Sequence, residues 1–571
     1  MNKEAVKQLT EQGCMVGRDA AEILEEEDIP RINSLEAKPM YVSRGMIEKV
    51  RQKVPEPAGE KPLPPSGAVE QETSEPEAGT NPREETQDYP DESEGSEASG
   101  ETGTRDSGVE DNGTLDSESE ESDSSNLERS GSQEGGNTGP EEEYEYSRKS
   151  SYFDRESTVV ISDDGERGDL NTKVEVLDDY EVTRDEKDVP EFLGYYNDRY
   201  EKMRKMLMRR SELKSATSIE RLERRDEGDQ AAAIGLVKDK YSTSSDKFIV
   251  SLEDKTGSFK LLVDEREGRH LVQDEMIGVT GSMGGDILYA NSVVKPDLPI
   301  PDGVNTTKEE VKAAYISDLH IGSEDTLHDR LDRFADWLGT SEASKIGYLV
   351  MPGDVIEGVG VYPGQKDELQ VNDIYKQYEM FEDWIDRIPE DIQIIFGPGN
   401  HDITRLAEPQ PKINEDVFDR IDGYRNVHIV RNPQTVRLHG IRSKGITNLM
   451  YHGYSFDDHI DEIKELRENA YDEPYRVMVD LLKRRHLAPT YGSNLLSPEP
   501  EDHLVIDKKP DVFVAGHLHS HSNYSYKGVN VIASSTFQAQ TEFQKRVGHE
   551  PDPGKVTVVN YENRNTEVHQ F

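Results

Sequence analysis

The sequence predicts an α/β protein in which a layered domain of sheets and helices follows a small β-barrel. Between residues 311 and 571, short apolar runs typical of buried strands alternate with stretches of helical period. Between residues 230 and 298, five short alternating runs are separated by Gly, Asp and Ser turns, which is typical of a small barrel of the OB type. Residues 51–172 are rich in Pro, Gly, Ser, Glu and Asp instead, and this composition predicts a disordered linker.

We expect five regions along the chain. In order they are an N-terminal helical module (1–50), an acidic disordered linker (51–172), a helical connector (173–225), the OB-type barrel domain (226–302) and the α/β domain (303–571). The connector carries aromatic and Met residues near helical spacing, together with an excess of Lys and Arg. Two interpretations of the connector remain open: a packed helix with a solvated face, and a contact for nucleic acid or a protein partner.

The composition excludes several classes of protein. The 571 residues contain no run of about 18 apolar residues, so a membrane-spanning helix is not expected. The first residues, MNKEAVKQLTEQG, lack the basic and apolar segments of a signal peptide, and we therefore expect a cytoplasmic protein. A single Cys, Cys14, excludes a disulfide framework within the chain and a site built from several thiolates. Metal chemistry must therefore use His, Asp, Glu and Asn.

The chain is strongly acidic, with a formal net charge of −50. Residues 60–145 hold 27 Asp or Glu and four Lys or Arg, a net charge of −23, which leaves −27 for the rest of the chain. An acidic tail on an ordinary protein would explain only the first of these two charges. Acidic surfaces on whole domains are typical of halophiles, so we expect a high-salt cytoplasm, where a basic stripe is a poor test for nucleic-acid binding.

Polar clusters stand at or just beyond the ends of predicted strands in the α/β domain. The strand candidates are AAYIS, IGYLVM, IQIIFG, NLMYHG, VFVAG and VNVIAS, and amphipathic helical stripes cover residues 327–338 and 378–388. The clusters are SDLHIG (317–322), GDVIEG (353–358), GNHD (399–402), YHG (451–453) and GHLHSH (516–521). Because ligands gather outside the carboxyl ends of strands in α/β sheets, the five clusters predict a single site assembled from loops.

Two of the clusters contain pairs of potential metal ligands. Side chains one residue apart on an extended chain point to the same side, so Asp318 and His320 can grip one ion. His517 and His519 repeat that spacing with two imidazoles.

The other three clusters complete a set for two metals. Asp354 projects into the loop space, where its carboxylate can bridge two ions, while Asn400 offers an amide oxygen and His452 a lone imidazole. The side chain of His401 points in a different direction from that of Asn400, so His401 need not bind the metal. With Asp354 shared, each of two ions has about four ligands, and this mixture of oxygen and nitrogen suits Mn, Fe or Zn better than Ca.

Any one of these histidines, considered alone, could have a purely structural role, because a single His is more often part of the core or the surface than a metal ligand. The histidines outside the clusters lack such a context, and we interpret them as surface or core residues: His328, His428, His439, His459, His486, His503, His549 and His569. His270 belongs to the barrel region, and for His521 a place beside the ligands and a surface position remain equally open.

The ordered set D-x-H, G-D-x-x-E, G-N-H-D, lone H and G-H-x-H resembles the calcineurin-like metallophosphoesterase family. The resemblance implies a two-layered β-sandwich flanked by helices, with a centre for two divalent ions; we expect Mn²⁺, with Mg²⁺, Fe and Zn as alternatives. It also implies two sets of ligands, Asp318, His320, Asp354 and His519 for one ion, and Asp354, Asn400, His452 and His517 for the other. His401 would be the catalytic histidine, oriented by Asp402, and Glu357 stands where many members have Asp.

The wider layout resembles the small subunits of archaeal family D DNA polymerases. The similar stretches are FLGYYNDRYEKMRKML (192–207), MPGDVIEGVGVYPGQ (351–365), GPGNHDITRLAEPQP (397–411) and YHGYSFDD (451–458). This resemblance implies a metal-dependent 3′→5′ proofreading exonuclease whose partners are a large polymerase subunit and DNA with a single-stranded 3′ end, with a sliding clamp as a further candidate. A non-catalytic scaffold subunit remains an alternative, as does a phosphomonoesterase or cyclic-nucleotide phosphodiesterase.

Overall fold

The structure, a computed structural model, describes residues 15–16, 24, 29, 41–42, 170–177, 180, 189–440 and 445–571. The predicted acidic linker lies outside these residues except at its C-terminal end. The predicted N-terminal helical module also falls almost entirely outside them; within it, two short strands pair in parallel.

The strands and helices have the following bounds in chain order. The strands are β1 (Met15–Val16), β2 (Tyr41–Val42), β3 (Val174–Leu177), β4 (Gln230–Ser242), β5 (Phe248–Asp254), β6 (Gly257–Val263), β7 (Met276–Met283), β8 (Ile287–Val294), β9 (Lys312–Tyr315), β10 (Ile346–Met351), β11 (Gln393–Phe396), β12 (Val427–Ile429), β13 (Gln434–Leu438), β14 (Ile446–Tyr451), β15 (Val512–Ala515), β16 (Ser522–Tyr526), β17 (Val529–Ala533), β18 (Lys555–Asn560) and β19 (Thr566–Gln570). The α-helices are α1 (Val189–Leu207), α2 (Ile219–Leu222), α3 (Glu265–Gly268), α4 (His328–Leu338), α5 (Ile374–Ile385), α6 (Phe456–Glu462), α7 (Lys464–Arg467), α8 (Tyr475–Arg484) and α9 (Glu542–Val547).

The first large sheet has the strand order β12-β11-β10-β9-β18-β19. Its first four strands are parallel, and β18 runs antiparallel to β9. Every residue of β10 is buried, because this central strand is covered on both faces. On one face, Leu331 and Phe334 of α4 and Phe381 and Trp384 of α5 join a core cluster with the sheet. The two amphipathic stripes of the sequence therefore form the expected helices.

The second large sheet has the order β16-β17-β15-β14-β13-β3, in which β14, β15 and β17 are parallel. Residues of α6 and α8 pack against Phe513 and Val531 of this sheet. A further core cluster combines Tyr315 and Val350 of the first sheet with Val514 of the second. The two sheets thus share a core between them, and each carries helices on its other face.

One edge strand of the second sheet departs from the sequence prediction. Residues 173–225 were predicted to form a helical connector, but β3 lies within this range and pairs antiparallel with β13. The hydroxyl of Tyr348 accepts a hydrogen bond from the Lys173 backbone N–H at 2.8 Å, and Arg437 Nη1 lies 2.7 Å from a carboxylate oxygen of Glu175. These contacts fix a short strand that is too polar on its outer side to stand out in the sequence.

The predicted five-stranded barrel is confirmed. Its strands close in the order β4-β5-β6-β8-β7, and β6 pairs in parallel with β8. The barrel is tied to α8 by a buried ion pair between Glu275 and Arg484, and Arg484 Nη2 also donates to the His270 carbonyl at 2.6 Å. In the described ranges, no helix combines the length and apolarity needed to cross a bilayer.

Helix α1 packs against this barrel. Met203 and Leu207 share a cluster with Ile234 and Met276 of the barrel strands, which confirms the packed-helix interpretation for this face of the connector. The guanidinium of Arg199 is fully buried and donates to Asp502 Oδ2 and the Pro489 carbonyl, both at 2.7 Å. Arg199 therefore links the helix to the α/β domain by a charge pair that no water reaches.

We expect Arg199→Met to destabilise the folded chain by about 3–5 kcal/mol, because it leaves the buried Asp502 carboxylate without its cationic partner. Chemical denaturation followed by circular dichroism measures the loss. The matched control is Lys202→Met on the same helix, whose pair with Asp198 is partly exposed and should contribute less than about 1 kcal/mol. Equal losses in the two variants would contradict the proposed role of the buried pair.

Candidate metal centre

The five polar clusters of the sequence converge in space. Asp318, Asp354 and Asn400 follow β9, β10 and β11 of the first sheet, and His452 and His517 follow β14 and β15 of the second. Neighbouring parallel strands end at the same edge of their sheet. The loops that follow the strands of the two packed sheets therefore meet at this edge. The residues predicted as metal ligands are thereby brought within reach of one another.

The first group of donors is formed by Asp318, His320 and His519, whose ligand atoms all lie within 4.8 Å of one another. The Nε2 atoms of the two histidines are 3.0 Å apart, and Asp318 Oδ1 is 3.4 Å from His519 Nε2. Asp354 Oδ2 completes this side at 3.8 Å from His320 Nε2. This is the composition of the first predicted ligand set.

The second group is built around Asn400. Its Oδ1 lies 2.8 Å from His452 Nε2 and 3.1 Å from His517 Nδ1. Asp354 Oδ2 is 3.2 Å from His452 Nε2, so the same carboxylate oxygen faces both groups. The geometry agrees with a bridging position for Asp354.

The donor set fits two divalent cations. In two of the histidines the nitrogen that points away from the centre contacts a carboxylate that can accept its proton: His320 Nδ1 with Glu357 Oε2 at 2.8 Å and His517 Nε2 with Asp457 Oδ2 at 2.9 Å. In a third, the outward Nδ1 of His519 lies 2.9 Å from the amide nitrogen of Gln544. The remaining nitrogens therefore turn inward and face each other and the carboxylates. Imidazole, carboxylate and amide ligands together suit Mn, Fe or Zn.

The backbone at the centre is strained. The left-handed region, with φ between 48° and 73°, is occupied by Asp318, His320, Asp354, His517 and His519. Residues other than glycine are uncommon in that region, and each costs about 1–2 kcal/mol. Gly399 shows how tightly the loops pack, because a Cβ there would meet the Asp354 carboxylate. The fold thus holds five predicted ligands in conformations that they would not adopt by themselves.

Burial and charge shift the pKa values of the ligands in opposite directions. Burial alone would raise the pKa of Asp354, but the charges of His452 and His401 hold it well below its usual range. Burial alone would lower the pKa of His320, but its hydrogen bond to Glu357 raises it to about 9. Both shifts favour the charged forms of Asp354 and His320, which face each other at the centre, and a cation would compete with the proton on His320.

His401, predicted as the catalytic residue, lies beside the first group. Its Nδ1 is 2.8 Å from the Glu357 carbonyl, which can only accept, so Nδ1 carries a proton. Its backbone N–H donates to Asp354 Oδ1 at 2.8 Å. The Nε2 atom is left to act on a substrate, although the ring is also close enough to His320 and Asp354 to share a cation with them.

Asp402, predicted to orient His401, has its side-chain contacts elsewhere in the loop. Asp402 is buried and accepts from the Gly399 N–H at 2.8 Å and the Tyr378 hydroxyl at 3.4 Å. Burial, followed by the negative charge of Asp354, raises the pKa of Asp402 to about 7. It therefore braces the loop that carries His401, while Glu357 supplies the contact that orients the imidazole.

Sequence reasoning missed two of the side chains that hold the ligands. Asp457 stands five positions after His452 in YHGYSFDD, so its acidity next to a predicted ligand was an available signal. Gln544 lies in α9 and carries no signal of this kind. Among the other histidines, His459 pairs with Asp480 and His486 with Asp502, both at 2.9 Å, and these pairs are structural. His521 Nε2 contacts Thr557 Oγ1 at 2.8 Å.

We expect Asp457→Asn to weaken metal binding by about 10–100-fold, the usual effect of removing a carboxylate that orients a histidine ligand. Calorimetric titration of the metal-free chain with Mn²⁺ measures the change. Asp458→Asn is the matched control, since it removes the same charge one residue further along the same helix. If both variants bound Mn²⁺ like the unaltered chain, the orienting role of Asp457 would be wrong.

Comparison with known proteins places the chain in a defined family. The profile of the family of B subunits of DNA polymerases alpha and epsilon matches residues 313–524. Three similar proteins share the name DNA polymerase II small subunit. That of Archaeoglobus fulgidus is 40% identical, covering 65% of this chain and 75% of its own length. That of Methanothermobacter thermautotrophicus is 37% identical, covering 69% of this chain and 84% of its own length. That of Halobacterium salinarum is 38% identical, covering 67% of this chain and 75% of its own length.

The chain belongs to the family of archaeal DNA polymerase II small subunits, those of the family D polymerases.

Proposed function

We propose that the chain is the 3′→5′ proofreading exonuclease subunit of a family D DNA polymerase and works with a large polymerase subunit on DNA with a single-stranded 3′ end. The observation that carries this proposal is the complete donor set, in which Asp354 faces both groups of ligands. Two sheets that share a core, flanked by helices, agree with the metallophosphoesterase sandwich implied by the sequence motifs. A sliding clamp is a further candidate partner.

Two divalent cations, Mn²⁺ in our proposal, would be held by the two ligand groups and would supply Lewis acidity to a phosphodiester and lower the pKa of water there. The remaining chemistry belongs to the chain. Water adds to phosphorus and releases one proton to the solvent, the bond from phosphorus to the 3′-oxygen breaks, and His401 Nε2 delivers to that leaving oxygen a proton that it has taken up from the solvent. The products are a 5′-nucleotide and a strand one residue shorter that ends in a 3′-hydroxyl.

The geometry around His401 suits this role. The Glu357 carbonyl fixes the ring through Nδ1, so that Nε2 has a defined direction. Glu357 also holds His320, and its carboxylate receives Gln365 Nε2 at 2.9 Å and Gln538 Nε2 at 3.1 Å. A single buried glutamate therefore positions both a ligand and the proton donor.

The test uses a 5′-labelled single-stranded oligonucleotide with the purified chain and Mn²⁺ in molar KCl, the medium chosen for an acidic surface. We expect a ladder that shortens from the 3′ end and is absent with His401→Ala. If neither the chain nor its complex with the large subunit produced a ladder, the chain would be a scaffold that retains a ligand set. Hydrolysis of phosphomonoesters or cyclic nucleotides in place of the oligonucleotide would favour the small-molecule enzyme.

A further inference from the structure

A short helix, α9, stands directly beside the metal centre. The side chain of Gln544 reaches from it to His519 Nδ1 at 2.9 Å. A capping box fixes the start of the helix, since Thr541 Oγ1 accepts from the Gln544 N–H at 3.2 Å and Gln544 Oε1 accepts from the Thr541 N–H at 3.1 Å. The same glutamine therefore caps the helix and contacts a predicted ligand, so the helix cannot move without moving that contact.

A second connection holds the far end of this helix. The ring of His549, just past the helix, packs on Tyr471 with centroids 4.1 Å apart. The Tyr471 hydroxyl donates to Asp457 at 2.8 Å, and Asp457 contacts His517. Both ends of α9 are thus joined through side chains to the histidines of the GHLHSH motif.

The outer face of α9 is apolar and in contact with water. Phe543 is 60% exposed and Val547 is 48% exposed, and at a spacing of four residues they lie on the same face. None of the residues of α9 is buried, so packing does not explain this apolar face. Among the large hydrophobic side chains exposed in the described ranges, Phe543 is the sole phenylalanine.

We propose that Phe543, supported by Val547, is the stacking platform for the 3′-terminal base of the single strand that enters the metal centre. The inference rests on the proposed nuclease function and names the residue that receives the substrate end. Phe543 precedes Gln544, which contacts a predicted ligand, so the ring stands on the helix that touches the centre, and we place there the base of the nucleotide whose phosphate lies at the centre. Stacking on an aromatic ring accepts any base, as a proofreading subsite must.

The charges of the helix favour a nucleic acid over a protein as the occupant. Lys545 pairs with Glu542 of the same helix at 2.6 Å, and Arg546 gives α9 an excess of positive charge in a chain with a net charge of −50, so the helix can attract the backbone of a strand whose base stacks on Phe543. A base that is still paired and stacked in a duplex cannot reach the ring. The platform therefore selects a frayed or mismatched 3′ end, which supplies discrimination without reading the sequence.

The experiment measures binding and hydrolysis separately on the full-length chain, alone and with the large subunit. The binding probe is a single-stranded oligonucleotide with 2-aminopurine as its 3′-terminal base, in Ca²⁺ to prevent cleavage. Phe543→Leu keeps apolar bulk and removes the ring, Phe543→Trp restores a ring, and Val568→Ala is the control at an exposed valine on β19. We expect Phe543→Leu to abolish the fluorescence quenching of the terminal base and to weaken binding about ten-fold, whereas Phe543→Trp and Val568→Ala retain both.

The outcomes separate the platform from the nuclease. Phe543→Leu should also lower the ratio of kcat/KM for the oligonucleotide to that for bis(4-nitrophenyl) phosphate, which has no terminal base. Normal quenching in Phe543→Leu would overturn the platform and leave the nuclease intact. Quenching that depends on Phe543 in a chain that hydrolyses nothing would keep the platform and overturn the nuclease. If Phe543→Leu impaired association with the large subunit and left oligonucleotide binding unchanged, the face would be a protein contact and the proposal would be wrong.

Discussion

Asp354→Asn is expected to lose both metal ions and, with them, hydrolytic activity by about 10³- to 10⁴-fold, since metal ions contribute several kcal/mol of transition-state stabilisation. The carboxylate lies 3.2 Å from His452 Nε2 and 3.8 Å from His320 Nε2, so that a single oxygen serves both groups of donors. Asparagine keeps the shape and the acceptor for the His401 N–H but removes the charge that two cations require. Elemental analysis of the purified variant gives the metal content per chain.

The matched control for this variant is Asp402→Asn. Asp402 is also buried, but its carboxylate contacts Gly399 and Tyr378 and belongs to neither group of donors. We expect Asp402→Asn to retain its metal, and thermal melting of both variants shows whether each is folded. A normal metal content in folded Asp354→Asn would show that this carboxylate does not bridge the two ions.

His401→Ala is expected to lower kcat by about 10²- to 10⁴-fold while metal remains bound. In the proposed mechanism His401 acts on the substrate through Nε2, and the hydrogen bond from its Nδ1 to the Glu357 carbonyl fixes the direction of that atom. Elemental analysis beside single-turnover kinetics distinguishes the two roles. His452→Ala is the comparison, since it removes an inward-facing nitrogen of the second group and should reduce the metal content. A loss of metal from His401→Ala would make His401 a ligand, which its proximity to His320 and Asp354 would explain.

The sequence predicts the elements whose pattern is carried by burial. Strands such as β10, with six buried residues in succession, and helices such as α4, with its apolar stripe, have one structural interpretation. β3 and β16 were missed because an edge strand buries little and shows only partial burial along its length. The barrel was predictable because its five strands are consecutive in the chain.

The candidate site was likewise predictable in part: the sequence indicated where its residues converge but not how their side chains are oriented. The convergence of the candidate ligands could be predicted because each follows an apolar strand, and the ends of these strands meet at one edge of the sheets. The orientation of His401 could not, because the sequence neighbour Asp402 turns toward Gly399, and the contact comes from Glu357, 44 residues earlier. Contacts between loops of different strands depend on tertiary packing, which no local pattern records.

The left-handed backbone of the candidate ligand loops implies that the proposed catalysis and the folding of this chain can be separated. Each of the five strained positions would be relieved by glycine or asparagine, which tolerate positive φ. Replacing a ligand would therefore lose the metal while relieving part of the strain, so an inactive descendant need not be an unstable one. On this fold, loss of the proposed nuclease activity would therefore leave the architecture of the subunit in place.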